Sequence, residues 1–226
     1  MKYKNIIFDL DNTLLDFSYA EDMAFRNLFN IYNINYKEEY LNLYRSINEP
    51  LWRKLEKGEI SKDYVFKNRF SLFFNEIGIT VDGEETESLY RQNLTLSEKT
   101  IPHAKDVLNS LKKEDYNLYI ATNGFSITQR KRLEKTNLMP MFNDVFISEE
   151  VGFDKPNVKF FDFLFEHIKE KDKSKLLMIG DNETSDIDGA NNFQIDSVLF
   201  SEKKNINTNA TYLVNDLRDI LTIVED

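Results

Sequence analysis

Eight consecutive positions near the start of the chain, Ile6-Ile7-Phe8-Asp9-Leu10-Asp11-Asn12-Thr13, place two carboxylates one residue apart directly behind an apolar run. Acids paired in this way can serve as nucleophile, as proton donor and acceptor, or as ligands for a hard cation. Two neighbouring aspartates repel, so the pair is costly unless a cation joins them or one holds a proton. The same residues also suit a turn, because Asp-Asn-Thr readily bonds its own backbone. Spacing alone leaves both readings open.

A second stretch repeats the theme. In Leu177-Met178-Ile179-Gly180-Asp181-Asn182-Glu183-Thr184-Ser185-Asp186 an apolar run again delivers acids to its end, behind a glycine that permits a close turn. Carboxylates converging from two such runs favour a divalent cation bound through oxygen, and Mg2+ suits a site that keeps waters and a substrate phosphate. For Asp186 the competing reading is a helix cap. Two loops have the opposite character. Thr122-Asn123-Gly124 offers a hydroxyl and backbone N–H groups at a helix entrance, suited to phosphate oxygens. Lys155, in Gly152-Phe153-Asp154-Lys155-Pro156-Asn157, stands before another helical segment whose start the proline favours. A lone lysine is otherwise a solvated surface charge.

The elements that must hold these residues are legible as short apolar runs at 6–10, 118–121, 145–147, 176–179 and 198–200, which read as buried parallel strands. Helical periodicity fills 127–136 and 157–169. The alternation predicts an α/β fold, a doubly wound, mainly parallel Rossmann-like sheet whose carboxyl edge carries the site. If the first strand stays extended through Asp11, period-two alternation aims both aspartates the same way.

The pattern breaks once. From 18 to 97 no strand candidate occurs, and four amphipathic segments follow one another: Tyr19, Met23, Phe25, Phe29 and Tyr32 mark the first, Leu41, Tyr44, Leu51, Trp52 and Leu55 the second, Val65, Phe66, Phe70, Phe73 and Phe74 the third, and 84–96 is the fourth. That is too long for an ordinary crossover. We expect a helical cap domain at 17–97 inserted into a core domain of 1–16 and 98–226, with hinges near 15–17 and 100–102. Trp52, Glu49 and Arg69 either meet a leaving group or pack the cap. His103 and His167 fall in helical segments of the core and read as structural.

Composition narrows the partners. Across 226 residues, 29 Lys and Arg stand against 39 Asp and Glu for a net charge of -10, which opposes binding to a nucleic acid polymer but not to a small anion held by a local cluster. The absence of cysteine excludes disulfides, thiolate metal sites and cysteine nucleophiles. The apolar run before Asp9 is too short for a signal peptide, and no run approaches the roughly 18 apolar residues of a membrane span. The expectation is a cytoplasmic protein without a membrane partner.

The order Asp-x-Asp-x-Thr at 9–13, strand-end Thr122, loop Lys155, then Gly180-Asp181 with a following Asp186 resembles the haloacid dehalogenase-like hydrolase superfamily. The helical insertion is similar to the superfamily's type 1 cap. Asn48-Glu49-Pro50-Leu51-Trp52, Thr122-Asn123-Gly124-Phe125 and Ile147-Ser148-Glu149-Glu150-Val151-Gly152 further resemble the bacterial house-cleaning pyrimidine 5'-nucleotidases. The resemblance implies a phosphatase in which Asp9 attacks phosphorus and forms an aspartyl-phosphate, while Asp11 protonates the leaving alcohol and then activates water. It implies Mg2+ on the Asp9 carboxylate, the Asp11 carbonyl and Asp181. It also implies phosphate contacts from Thr122, the Asn123 backbone and Lys155, with Asp186 orienting Lys155 or a metal-bound water. The expected substrate is a pyrimidine nucleoside monophosphate. Phosphoglycolate or a sugar phosphate is the alternative within the same chemistry, and a phosphoaspartate signalling receiver is the alternative outside it.

Overall fold

The structure, a computed structural model, describes residues 2–203 and 206–225. In chain order its elements are β1 (Asn5–Phe8), α1 (Phe17–Ile31), α2 (Glu39–Glu56), α3 (Lys62–Glu76), α4 (Gly83–Leu94), α5 (Ala104–Lys113), β2 (Asn117–Thr122), α6 (Ser126–Lys135), β3 (Asp144–Ile147), α7 (Ser148–Val151), α8 (Val158–His167), β4 (Leu176–Gly180), α9 (Asp188–Phe193), β5 (Asp196–Phe200), β6 (Tyr212–Val214) and α10 (Asp219–Glu225). The chain divides into two compact units, Met1–Phe17 with Glu98–Asp226, and Ser18–Ser97.

The first unit is the expected α/β fold. All its strand pairings are parallel and the order is β3-β2-β1-β4-β5-β6. Strand side chains alternate between two packed faces. Ile6, Phe8, Ile120 and Ile179 join Leu108 and Leu111 of α5 on one. Ile7, Tyr119, Ala121 and Met178 join Phe160, Phe161 and Leu164 of α8 on the other. Burial on both faces explains why the strands read as continuous apolar runs. From β1 the chain passes to β2 and β3 on one side, and from β4 to β5 and β6 on the other, so the gap between β1 and β4 is the switch point at which open α/β sheets bind ligands.

Two departures from the sequence reading have physical reasons. β6 has only three residues, two of them half-buried, too short to carry a periodic signal. The first strand ends at Phe8 and does not run on to residue 10. Beyond it the backbone closes a turn: the Leu14 and Leu15 amides both donate to the Leu10 carbonyl, and Asn12 takes a left-handed φ of 56°.

The second unit is all helix. Phe25, Phe29, Tyr44, Phe70, Phe73, Phe74 and Tyr90 are fully buried and meet edge-on or stacked, as Tyr44 does with Phe70 at 5.2 Å. Ser61 and Asp82 start α3 and α4 by accepting from the Tyr64 and Glu85 amides. Arg69 is buried here, with Nε and Nη2 donating to the two Glu87 oxygens at 2.6 and 2.8 Å. Trp52 packs edge-on against Phe66, and Glu49 pairs with Arg53 one turn along α2. The packing reading therefore accounts for Arg69.

Candidate active site

β1 and β4 are neighbours in register, and the Asp9 amide extends their ladder by donating to the Ile179 carbonyl at 2.8 Å. Asp9 and Asp181 thus leave adjacent strands at the switch point. Lys155 enters from the segment after α7 and is almost fully buried. Its ammonium has three protons and three acceptors: Asp9 Oδ1 at 2.7 Å, Asp186 Oδ1 at 2.6 Å and the Ala121 carbonyl at 2.5 Å. A surface lysine would make none of these contacts.

Asp186 lies inside a single π turn, Glu183–Ile187, that opens the helical stretch after β4. Asn182, not Asp186, caps that turn, accepting from the Thr184 and Ser185 amides at 2.9 and 3.0 Å. The Asp186 carboxylate instead takes the Asn182 amide on Oδ2 at 3.1 Å and Lys155 on Oδ1. Gly180 makes this packing feasible, because a Cβ there would come within 2.2 Å of Asp186 Oδ2.

One carboxylate oxygen from each of Asp9, Asp181 and Asp186 lies within 4.8 Å of the other two. Burial raises the Asp9 pKa to about 7 even though Lys155 pulls it down, and Asp186 and Asp11 add to the rise. Burial likewise raises Asp181 to about 8, with Asp9 and Asp186 next in effect. For Lys155, burial acts to lower the pKa, but Asp186 and Asp9 overcome it and the net shift is upward. Lys155 has no proton left for Asp181. An all-oxygen, anionic donor set with more charge than its cations neutralise fits a hard divalent ion.

The loop at 122–124, expected to bind phosphate, differs in part from expectation. Two of its amides are already taken: Gly124 donates to Ser148 Oγ at 3.2 Å and Ser126 to Glu149 Oε2 at 2.8 Å. Ser148 and Glu149 at the start of α7 satisfy donors that the start of α6 leaves open. The Asn123 side chain clasps the Lys155 backbone in both directions, donating to its carbonyl and accepting from its amide, each at 2.9 Å. Pro156 lies ahead of the α8 N-cap, Asn157, and not inside the helix. His103 precedes α5 and His167 closes α8.

Asp11 does not point with Asp9 into the lysine, because the turn after Phe8 ends the period-two alternation. Arg132 Nη1 donates to Asp11 Oδ1, and Gln129 Nε2 donates to Oδ2 at 2.9 Å. The same Gln129 nitrogen reaches Thr122 Oγ1 at 3.0 Å. Sequence reasoning missed both residues. The available signal was two long polar side chains three apart on the inner face of α6, but such residues on an otherwise polar helix read as solvated.

The haloacid dehalogenase-like hydrolase family model matches residues 3–194. Pyrimidine 5'-nucleotidase PynA of Streptococcus pneumoniae is 38% identical over 228 residues, covering 100% of this chain and 96% of that protein. Pyrimidine 5'-nucleotidase YjjG of Escherichia coli is 33% identical over 192 residues, covering 85% and 83%. The crystal structure of HAD-hydrolase YfnB from Bacillus subtilis, bound to magnesium, superposes with a TM-score of 0.95 at 36% identity and full coverage of both chains. These matches agree with the motifs read from the sequence. The chain belongs to the haloacid dehalogenase-like hydrolases.

Proposed function

We propose that this protein is a Mg2+-dependent phosphatase that hydrolyses small phosphomonoesters through an aspartyl-phosphate, acting on nucleoside 5'-monophosphates and on pyrimidine ones first. The observation that carries the chemistry is the buried Lys155 ammonium held between Asp9 and Asp186 beside Asp181. The substrate class rests on likeness to two proteins named pyrimidine 5'-nucleotidases. The helical unit is the cap domain of this reading.

Asp9 is the nucleophile. A carboxylate attacks without a base once ionised, and Lys155 at 2.7 Å both favours that state and neutralises charge on an incoming phosphate. Asp11 gives a proton to the leaving oxygen and takes one from water. Thr122 and the Asn123 backbone bind phosphate oxygens. Mg2+ on the Asp9 carboxylate, the Asp11 carbonyl and Asp181 would neutralise charge shared by nucleophile and phosphate. Asp186 stands behind the others because both its oxygens are already bonded, and it steers Lys155.

Membership in a hydrolase family, with the acid at the end of the first strand, speaks against a signalling receiver. Among the described residues no helix is long and apolar enough to cross a membrane. The test is phosphate release with Mg2+ from UMP, dTMP, AMP, phosphoglycolate and hexose phosphates under identical conditions. UMP and dTMP should lead. Preference for the last two would overturn the nucleotide assignment, and no release from any ester, p-nitrophenyl phosphate included, by folded protein would overturn the phosphatase.

A further inference from the structure

Every polar atom of the Asp11 carboxylate is engaged by α6. Arg132 Nη1 takes Oδ1 and Gln129 Nε2 takes Oδ2, and the two donors are themselves joined by Arg132 Nη1 to Gln129 Oε1 at 2.8 Å. Gln129 also bonds Thr122, so one amide group ties together the acid and the strand-end hydroxyl. Both side chains are buried, and the Arg132 guanidinium rests over the Phe17 ring at 5.5 Å from its centroid. Gly124 leaves room for the arrangement: a Cβ there would sit 2.9 Å from Gln129 Nε2 and 3.0 Å from its Cγ. A buried guanidinium and amide without this acid would be left unsatisfied, so the cluster holds together as a unit.

We propose that Gln129 and Arg132 are positioning residues for the proton-transfer step, fixing the Asp11 carboxyl against Thr122 so that it meets the leaving oxygen. The proposal rests on the phosphatase reading above. In that reaction Asp9 Oδ bonds to phosphorus as the ester P–O bond breaks, and the departing oxygen takes the Asp11 proton. Water then attacks phosphorus, its proton passes to Asp11, and the bond from phosphorus to Asp9 breaks to release phosphate and restore the carboxylate. Both halves need Asp11 in place, whereas a leaving group stable as an anion needs it only in the second.

The experiment compares UMP, whose leaving alcohol must be protonated, with p-nitrophenyl phosphate, whose leaving group need not be. Gln129→Ala, Gln129→Glu, Arg132→Lys and, as reference, Asp11→Ala are assayed by stopped flow and in steady state, after thermal melting confirms the fold. Asp11→Ala and Gln129→Glu should lose UMP turnover by about a hundredfold or more. Both should still release p-nitrophenolate in a burst, followed by slow turnover. Gln129→Ala should show the same pattern at about tenfold, and Arg132→Lys, which keeps the charge but not the guanidinium geometry, should show it more weakly. The proposal is overturned if folded Gln129 and Arg132 variants keep wild-type rates, or lose UMP turnover and the p-nitrophenolate burst equally while Asp11→Ala separates them. Failure of Asp11→Ala itself to separate the two substrates would instead overturn the role given to Asp11.

Discussion

Each unit buries a cluster of charge, and the two clusters are balanced differently. In the helical unit the Glu87 carboxylate faces two guanidinium groups, Arg69 in a two-point bond and Arg91 at 3.3 Å, with Asn48 at 3.4 Å from Arg69. Phe66, Phe70 and Tyr90 add their ring faces around Arg69. In the α/β unit four carboxylates, Asp9, Asp11, Asp181 and Asp186, face two cations among the described residues, Lys155 and Arg132. The first cluster satisfies its acid entirely from within and so fastens helices together. The second is left with surplus negative charge, which the unit tolerates by raising the pKa of Asp9 and Asp181 and which a cation would remove.

The largest effect that separates the clusters should come from Asp9→Asn, which removes the proposed nucleophile and should lower phosphate release by about 10^4-fold or more while the melting temperature holds or rises. Substantial residual turnover would contradict the nucleophile. Arg69→Ala should do the reverse. Leaving Glu87 short of its main partner should cost about 3 kcal/mol in urea denaturation, and Arg69→Met with Glu87→Leu should recover most of it. If the single variant were as stable as wild type, the helical cluster would not be the fastening described.

Smaller differences probe the surplus charge directly. Asp181→Asn should stabilise the metal-free protein by on the order of 1 kcal/mol, by relieving repulsion and desolvation, and should abolish the rise in Tm expected on adding Mg2+. Smallest is the pH dependence. The folded, metal-free chain keeps protons on Asp9 up to about 7 and on Asp181 up to about 8, against 3.8 for an ordinary aspartate. The unfolded chain has already released them, so this contribution to stability is present at acid pH and is lost as pH rises through those values. Mg2+ competes with the same protons and should raise Tm by a few degrees more at about pH 8 than at about pH 6. An equal rise at both would show that the acids are ionised without metal.

Much of the fold is legible because its strands are buried on both faces, which turns them into uninterrupted apolar runs, and because no run interrupts the helical stretch. Acids immediately behind two such runs are legible for the same reason. What periodicity cannot carry is the turn after Phe8, where the chain stops alternating and Asp9 and Asp11 part company. Gln129 and Arg132 are hidden differently: α6 is polar on most of its surface, and nothing local distinguishes a polar side chain that faces inward toward an acid. Arg69 is hidden likewise, since its partner Glu87 lies on the next helix.

The reciprocal pair between the Asn123 side chain and the Lys155 backbone has a consequence for transplantation. Two hydrogen bonds closing one ring weld the loop after β2 to the segment after α7, so Lys155 is placed by its main chain before its ammonium finds any carboxylate. Segments 122–124 and 152–157 are in that sense a single cassette, although 27 residues of sequence, from 125 to 151, separate them. A chimera that carries over only one of them brings a lysine without its mooring.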